Sequence, residues 1–455
     1  RMIRSVDASF GRVRDVLRDL GLEENTLLIL FSDNGPCSGS NPVDRHMAGL
    51  HGLKGTVYEN GIRVPCFMRW PAGFKAPAKV TRLAAHIDIL PTVLEACGVP
   101  AGDGPSIDGR SLLPMLRDPA APWSDRTLLL QWDSGQAPRR GHAYTVLTER
   151  WKLVQPCGMD APNQKHIRDR YAELCRIQGR GERGIEGPPR FELYDIAADP
   201  GETKDLAAAN PDVVEAMKTQ YDAWFTDVAA RWAQPPTGAA SDAPKTPPNI
   251  VLILADDLGY GDPGCNNPAS KIPTPNIDRL AREGIRLTDA HAAAAICSPS
   301  RYGLLTGRYP WRNAPPGRTM GNVPIWGRPA IERDRPTLAS VLKQQGYATA
   351  CIGKWHLGWS WPTKDGKPPT VKPDNLGNVD FTRPAAQGPT ARGFDTYFGT
   401  CVPNYPPYCF IENDRTVGLP GEPSDEFEFP GPKLPGWRQI DILPELTRRD
   451  RKSVV

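Results

Sequence analysis

Two short apolar runs, far apart in the chain, constrain the fold more than any other feature. Thr26-Leu-Leu-Ile-Leu-Phe31 leads into Ser32-Asp33-Asn34-Gly35, and Asn249-Ile-Val-Leu-Ile-Leu-Ala255 leads into Asp256-Asp257-Leu258-Gly259. A continuous apolar run of this length, without the alternation of a half-solvated sheet, is the pattern of a strand buried on both faces of a parallel sheet. Each run ends in a polar pair, and ligands of open α/β sheets gather at the carboxyl ends of their strands.

Helical patterns alternate with the strands. Ile3, Val6, Phe10, Val13, Leu17 and Leu20 recur at steps of three and four, which predicts an amphipathic helix over 2–20 stopped by Gly21. Thr274 as N-cap, Pro275 at the first position and Gly284 beyond the end predict a helix over 275–283. The stretch 336–345 repeats the device before a strand over 347–352. Between about 121 and 233, short β-like runs at 128–132, 151–154 and 191–195, with a helix over 211–225, predict a small α+β subdomain. Residues 234–247 hold no apolar periodicity and read as a Pro/Ala linker. The expected division is thus 1–120, 121–233, the linker, and 248–449, with 450–455 read as a non-native tail. The fold class is α/β: a mixed, mostly parallel sheet flanked by helices, with the α+β subdomain appended.

Composition excludes several partners. Among 455 residues, 55 Lys and Arg face 52 Asp and Glu, a formal charge of +3, which argues against a nucleic-acid polycation. The longest purely apolar stretch, 250–255, falls far short of the roughly 20 residues that span a bilayer. Ten cysteines include no Cys-x-x-Cys pair and no zinc-finger spacing, so a structural zinc site is not expected, and the scatter leaves the redox context open. The first residue is Arg1, and the chain reads as a fragment or a processed product.

The most specific string is Ile296-Cys297-Ser298-Pro299-Ser300-Arg301, followed by Leu304-Leu-Thr-Gly-Arg308. Pro299 suits the first turn of a helix, which places Cys297 at the amino end, where free N–H groups and the dipole favour anions. A lone cysteine before a helix is more often an inert packed thiol, and the neighbouring Arg301 shifts that balance.

Here the chain resembles the sulfatases, whose Cys-x-Pro-Ser-Arg cysteine is oxidised by a maturation enzyme to formylglycine. The resemblance implies an alkaline-phosphatase-like fold and a Cys297-derived aldehyde whose hydrate attacks sulfur, forms a covalent sulfate ester and then expels sulfate. It implies that Asp256, Asp257, Asp33 and Asn34, with the modified Cys297, hold a metal ion. Hard oxygen ligands suit Ca²⁺, with Mg²⁺ the alternative. Gly353-Lys354-Trp355-His356 resembles the family's Lys-x-His motif, which gives Lys354 a sulfate-binding role and His356 a hydrogen bond to the formylglycine hydroxyl. Gly52-Leu-Lys54-Gly resembles the loop carrying a second sulfate-binding lysine, Lys54, with Asn60 standing where glycine is expected. Arg301 completes the catalytic set. His86, Glu192 and Asp195 read as scaffold, and Trp359 and Trp361 are left outside the site.

The implied substrate is a sulfated small molecule or carbohydrate, the implied partner the formylglycine-generating enzyme, and the implied location periplasmic or secreted. The order is reversed: residues 1–233 resemble a sulfatase's later part and 248–449 its early part, as in a circular permutant, a tandem pair or an assembly chimera. Between Leu443-Pro-Glu-Leu446 and Arg1 the family carries a Pro-His segment whose histidine protonates the leaving oxygen. No such segment is present, and His46 and His51 are the nearest candidates. A phosphonate or phosphate monoesterase of the same superfamily, and a catalytically dead permuted fragment, are the competing readings.

Overall fold

The computed structural model describes residues 2–37, 47–99, 107–132, 139–158, 165–179, 184–230, 246–313 and 321–453. The chain forms two compact units, one of residues 1–11 and 21–321, the other of residues 12–20 and 322–455. Most of the expected linker, 234–245, lies outside the described residues, as do His46 and the last two residues of the expected tail. Residues 450–453 continue the helix Ile442–Ser453.

The first unit is built on a five-stranded sheet in the spatial order Ala78–Val80, Ile285–Leu287, Cys66–Arg69, Thr26–Ser32, Asn249–Ala255. Four strands point one way and Cys66–Arg69 runs against them, so the sheet is mixed and mostly parallel, as expected. The two apolar runs pair in parallel with Thr26 opposite Asn249 and Ser32 opposite Ala255. Every residue of Thr26–Ser32 is buried. Asn249–Ala255 departs from the expectation of burial on both faces. It is the edge strand of this sheet, exposed at Asn249 and half-buried from Ile250 to Leu254, because no described strand pairs along its other side.

Phe10 of the first helix packs with Leu28, Leu30, Phe67, Ile277 and Leu280 on one side of the sheet. The helix Pro275–Glu283 forms where its punctuation places it, but its cap is not the expected one. Thr274 makes no capping bond to the helix backbone. Asp7 supplies it instead: its Oδ1 accepts from the backbone N–H of Asn276 at 3.1 Å and of Ile277 at 2.9 Å, and its Oδ2 from the Asn276 side chain at 2.9 Å. A carboxylate on the first-turn N–H groups also complements the helix dipole. Thr274 is spent elsewhere, accepting from Gly264 N and donating to Asp278.

The predicted α+β subdomain is present within this unit. Leu128–Gln131, Tyr144–Leu147, Trp151–Gln155 and Glu192–Asp195 form an antiparallel sheet. The helix Pro211–Ala230, longer than expected, packs Met217 and Tyr221 against Tyr144, Val146 and Leu153. In the second unit, Ala350–Lys354 pairs in parallel with Thr396–Thr400, which continues antiparallel to Ile411–Glu412. This strand starts later than the expected 347, because Thr349 is bound to Asp395 and Gly393 before the ladder begins. No helix among the described residues is long and apolar enough to cross a membrane.

Replacing Asp7 by Ala should destabilise the first unit by about 1 kcal/mol, with Asp7→Asn costing less, since an amide oxygen still accepts from the same N–H groups. Chemical unfolding of both variants checks this; equal stability of Asp7→Ala and wild type would contradict the cap.

Candidate active site

The in-register pairing of the two apolar strands sets their polar ends side by side. Asp33 N–H donates to Ala255 O at 3.0 Å, and Asp257 N–H donates to Asp33 Oδ1 at 3.1 Å. Asn34 Nδ2 donates to Asp257 Oδ1 at 2.7 Å. Asp257 takes a left-handed backbone, φ 56°, a conformation in which Asp is among the better tolerated residues. Ser32, which motif reading did not single out, ties the two turns: its Oγ accepts from Leu258 N–H at 3.0 Å. Its only sequence signal is its place at the strand end.

Gly35 is required by close approach. A Cβ there would lie 1.8 Å from the Asn60 carbonyl oxygen, and Gly35 N–H bonds Gly61 O at 3.0 Å. Asn60, standing where glycine is expected, sits in the helical turn Glu59–Ile62 and needs no left-handed backbone. Its side chain instead donates to Gly52 O at 2.9 Å.

Cys297 opens the helix Cys297–Thr306 as expected, and the helix closes on Gly307 in the left-handed conformation. The thiol is buried, its Sγ 3.8 Å from Asp256 Oδ1. Arg301, one turn on, donates from Nη2 to Asp33 Oδ2 at 2.9 Å and reaches Asp256 Oδ1 at 3.6 Å. Lys54 Nζ contacts both Asp257 oxygens, at 2.7 and 2.9 Å. Burial alone would lower the pKa of Lys54, yet it is raised well above its ordinary value, because Cys297, Asp257, Asp256 and Asp33 crowd it with negative charge. Arg301 is likewise raised against the effect of burial, by Asp33, Asp256 and Cys297.

One ligand atom each from Asp33, Asp256, Asp257 and Cys297 lies within 4.8 Å of the others. Three carboxylates converge on two cationic side chains, and the Asn34 Oδ1 is buried without a hydrogen-bond partner. An unmatched amide oxygen beside three carboxylates is the donor set of a hard divalent cation, and the residues fit the implied ion.

The predicted residues of the first unit therefore come together. Lys354 and His356 belong to the second unit. Lys354 ends its strand, and His356, at φ 55°, donates its backbone N–H to Cys401 O at 2.9 Å. The His356 Nε2 lies 3.2 Å from Val323 O, and its ring meets Tyr405 edge-on at 5.5 Å. Trp359 is buried and packs on Tyr397. His51, weighed as a leaving-group acid, is fully buried between Tyr58 and Tyr171, with Nε2 3.3 Å from the Tyr171 hydroxyl, which is a packing position.

A family model described as "Sulfatase" matches residues 1–99 and 248–428. With these motifs and this geometry, the chain belongs to the sulfatase family, and its α/β fold is the alkaline-phosphatase-like fold of that family. Among similar proteins, an N-acetylgalactosamine-6-O-sulfatase of Bacteroides thetaiotaomicron is 41% identical over 206 residues, covering 44% of this chain and 36% of that protein. Human steryl-sulfatase is 41% identical over 159 residues, 34% of this chain and 24% of its own length. A solved structure from a glycosaminoglycan-metabolising locus of B. thetaiotaomicron is 40% identical, covers 36% of this chain and 30% of that one, and overlays with a TM-score of 0.29. The chain thus spans about a third or less of the length of these curated relatives.

His86, read as scaffold, holds the strand end to the lead-in of the Cys297 helix. Its Nε2 lies 2.8 Å from Ser32 O and its Nδ1 accepts from Ala293 N–H at 3.2 Å, which defines the neutral tautomer with the proton on Nε2. Burial lowers its pKa to about 3. An unfolded histidine takes up its proton near 6.5. The folded form resists it, so the stability His86 contributes is full above pH 6.5 and is lost as pH falls from there toward 3, by up to about 1.4 kcal/mol per unit. The stability gap between wild type and His86→Leu should therefore narrow with acidification in urea unfolding; a pH-independent gap would refute it.

Proposed function

We propose that this protein hydrolyses sulfate monoesters, consuming water and releasing an alcohol and sulfate, with Cys297 as the precursor of a formylglycine nucleophile. One observation carries the reading: a buried cysteine at a helix N-terminus stands 3.8 Å from Asp256, inside a cluster of three carboxylates, Arg301 and Lys54. A cysteine kept for packing would be surrounded by apolar side chains; this one is surrounded by charge.

Asp33, Asn34, Asp256 and Asp257 would hold a divalent cation, Ca²⁺ in preference to Mg²⁺, which supplies a Lewis acid for a sulfate oxygen. Arg301 holds Asp33 and Asp256 in place beside Cys297. Lys54 presents a fixed positive charge where charge develops on the transferred group, and basic groups so placed contribute most when desolvated. Lys354 and His356 are proposed, on the strength of their motif, as the further sulfate-binding and nucleophile-orienting residues. The names of the relatives support carbohydrate and steryl sulfates as substrates, and aryl sulfates complete the proposed range. A formylglycine-generating enzyme as partner, and a periplasmic or secreted location, belong to the same proposal.

We further propose that the matched segments stand in reversed order relative to other sulfatases, late part first. The order of the motifs along the chain supports this, with Asp33-Asn34-Gly35 ahead of Asp256-Asp257 and the Cys297 string.

The test is coexpression with a formylglycine-generating enzyme, the mass of the Cys297 peptide, and turnover of p-nitrophenyl sulfate with Ca²⁺. We expect conversion of the thiol to the aldehyde and turnover that vanishes in Cys297→Ala and on chelation. Arg301→Ala and Lys54→Ala should each lose about 10²–10³-fold in kcat. A higher rate on p-nitrophenyl phosphate would favour a phosphatase, and a converted protein that turns over neither ester would sink the proposal.

A further inference from the structure

A second charged cluster lies outside the site. Lys152, on the strand Trp151–Gln155 of the α+β subdomain, is fully buried. Its Nζ lies 2.8 Å from Glu59 Oε1 and 2.9 Å from Glu202 Oε1, and both carboxylates are buried. The Glu202 Oε2 accepts the Glu59 backbone N–H at 2.8 Å. The other Glu59 oxygen pairs with Arg63 and faces His291 Nε2 at 3.3 Å, while Arg63 also bridges to Asp289 at 2.7 Å. Glu59, Asp289 and His291 are close enough to suggest a metal site, but Arg63 and Lys152 already occupy the Glu59 carboxylate.

Burying this many charges is costly and contributes little net stability compared with apolar packing. What the cluster does hold is position. Glu59 opens the helical turn whose next residue, Asn60, donates its N–H to His51 O at 2.7 Å and its side chain to Gly52 O at 2.9 Å. Two residues further on is Lys54, whose own N–H bonds Pro36 O at 3.1 Å, and Gly55 N–H bonds Ala295 O at 2.9 Å beside the Cys297 helix. The subdomain grips the same loop a second time, through Tyr58 OH to Glu192 at 2.9 Å.

We propose that Lys152 is a positioning residue: by balancing Glu59 and Glu202 it fixes the turn that presents Lys54 to Asp257, so the α+β subdomain sets the geometry of the site. The proposal rests on the sulfatase reading only for its catalytic consequence. Without the ammonium, two buried carboxylates face each other, and only one can ionise. The other charged or titratable groups at Glu59, Arg63 and His291, stay in place. Desolvation already pushes Glu202 up to about 7, with the Glu59 charge adding to it against Lys152.

The experiment compares wild type, Lys152→Met and Lys152→Arg at about pH 8. Two readouts are used: the rate of Lys54 acetylation by acetic anhydride, read by mass spectrometry relative to wild type at the same pH, and kcat/KM for p-nitrophenyl sulfate. In Lys152→Met we expect Lys54 to label roughly 10-fold faster at pH 8 and kcat/KM to fall about 10²-fold, the cost of a small misplacement. Lys152→Arg, which keeps a cation between Glu59 and Glu202, should stay within about 3-fold of wild type in both readouts. A folded Lys152→Met that labels Lys54 at the wild-type rate at pH 8 overturns the proposal, as does a Lys152→Arg that labels as fast as Lys152→Met. If Lys152→Met does not fold, Glu202→Gln, which removes one of the two carboxylates that hold the ammonium, decides instead: faster Lys54 labelling than wild type supports the proposal and the wild-type rate overturns it. If wild type turns over no sulfate ester, the sulfatase reading falls, while Lys54 labelling still decides the role of Lys152.

Discussion

Everything chemical in this protein depends on one backbone interaction, the parallel pairing of Thr26–Ser32 with Asn249–Ala255 in a single register. Side chains alternate along a strand, so a slip of one residue would turn Asp33 and Asp256 to opposite faces and scatter the carboxylates. The register is protected by apolar burial along Thr26–Ser32 and by the polar ties at its end, Ser32 to Leu258 and Asp33 to Asp257. A pairing between residues more than two hundred positions apart thus defines the place where Cys297 is delivered.

The charge balance of the site follows from that convergence. Three carboxylates brought within 4.8 Å of a thiol would repel one another strongly, and Arg301 and Lys54 are drawn in as the compensating cations. The cations come from different elements, Arg301 from the helix that begins at Cys297 and Lys54 from a loop. The helix carries its own rigidity, whereas the loop borrows rigidity from the turn at Glu59 and from the subdomain strands behind it. An unmatched Asn34 oxygen completes a set of donors that a hard cation would satisfy.

Much of this was legible before folding. Continuous apolar runs identify strands because their burial demands it, and the Cys-Ser-Pro-Ser-Arg string identifies a helix start because proline suits the first turn and cannot occupy a helix interior. The misses share a cause. Thr274 has the chemistry of a cap, but Asp7, remote in sequence, outcompetes it with a charged acceptor. Asn249–Ala255 reads as a central strand, yet burial depends on what lies alongside, which composition does not report. Lys152 resembles any strand lysine next to Trp151, and its burial between two glutamates required the subdomain to meet the turn at Glu59.

The sequence by itself determined the element types, the fold class and the family, because these rest on local periodicity and on contiguous motifs. The tertiary structure alone decided which charges neighbour which: Lys54 on Asp257, Arg301 on Asp33, Lys152 between Glu59 and Glu202. Electrostatic energy depends on distance through space and on burial, and neither quantity exists until strands distant in the chain have paired.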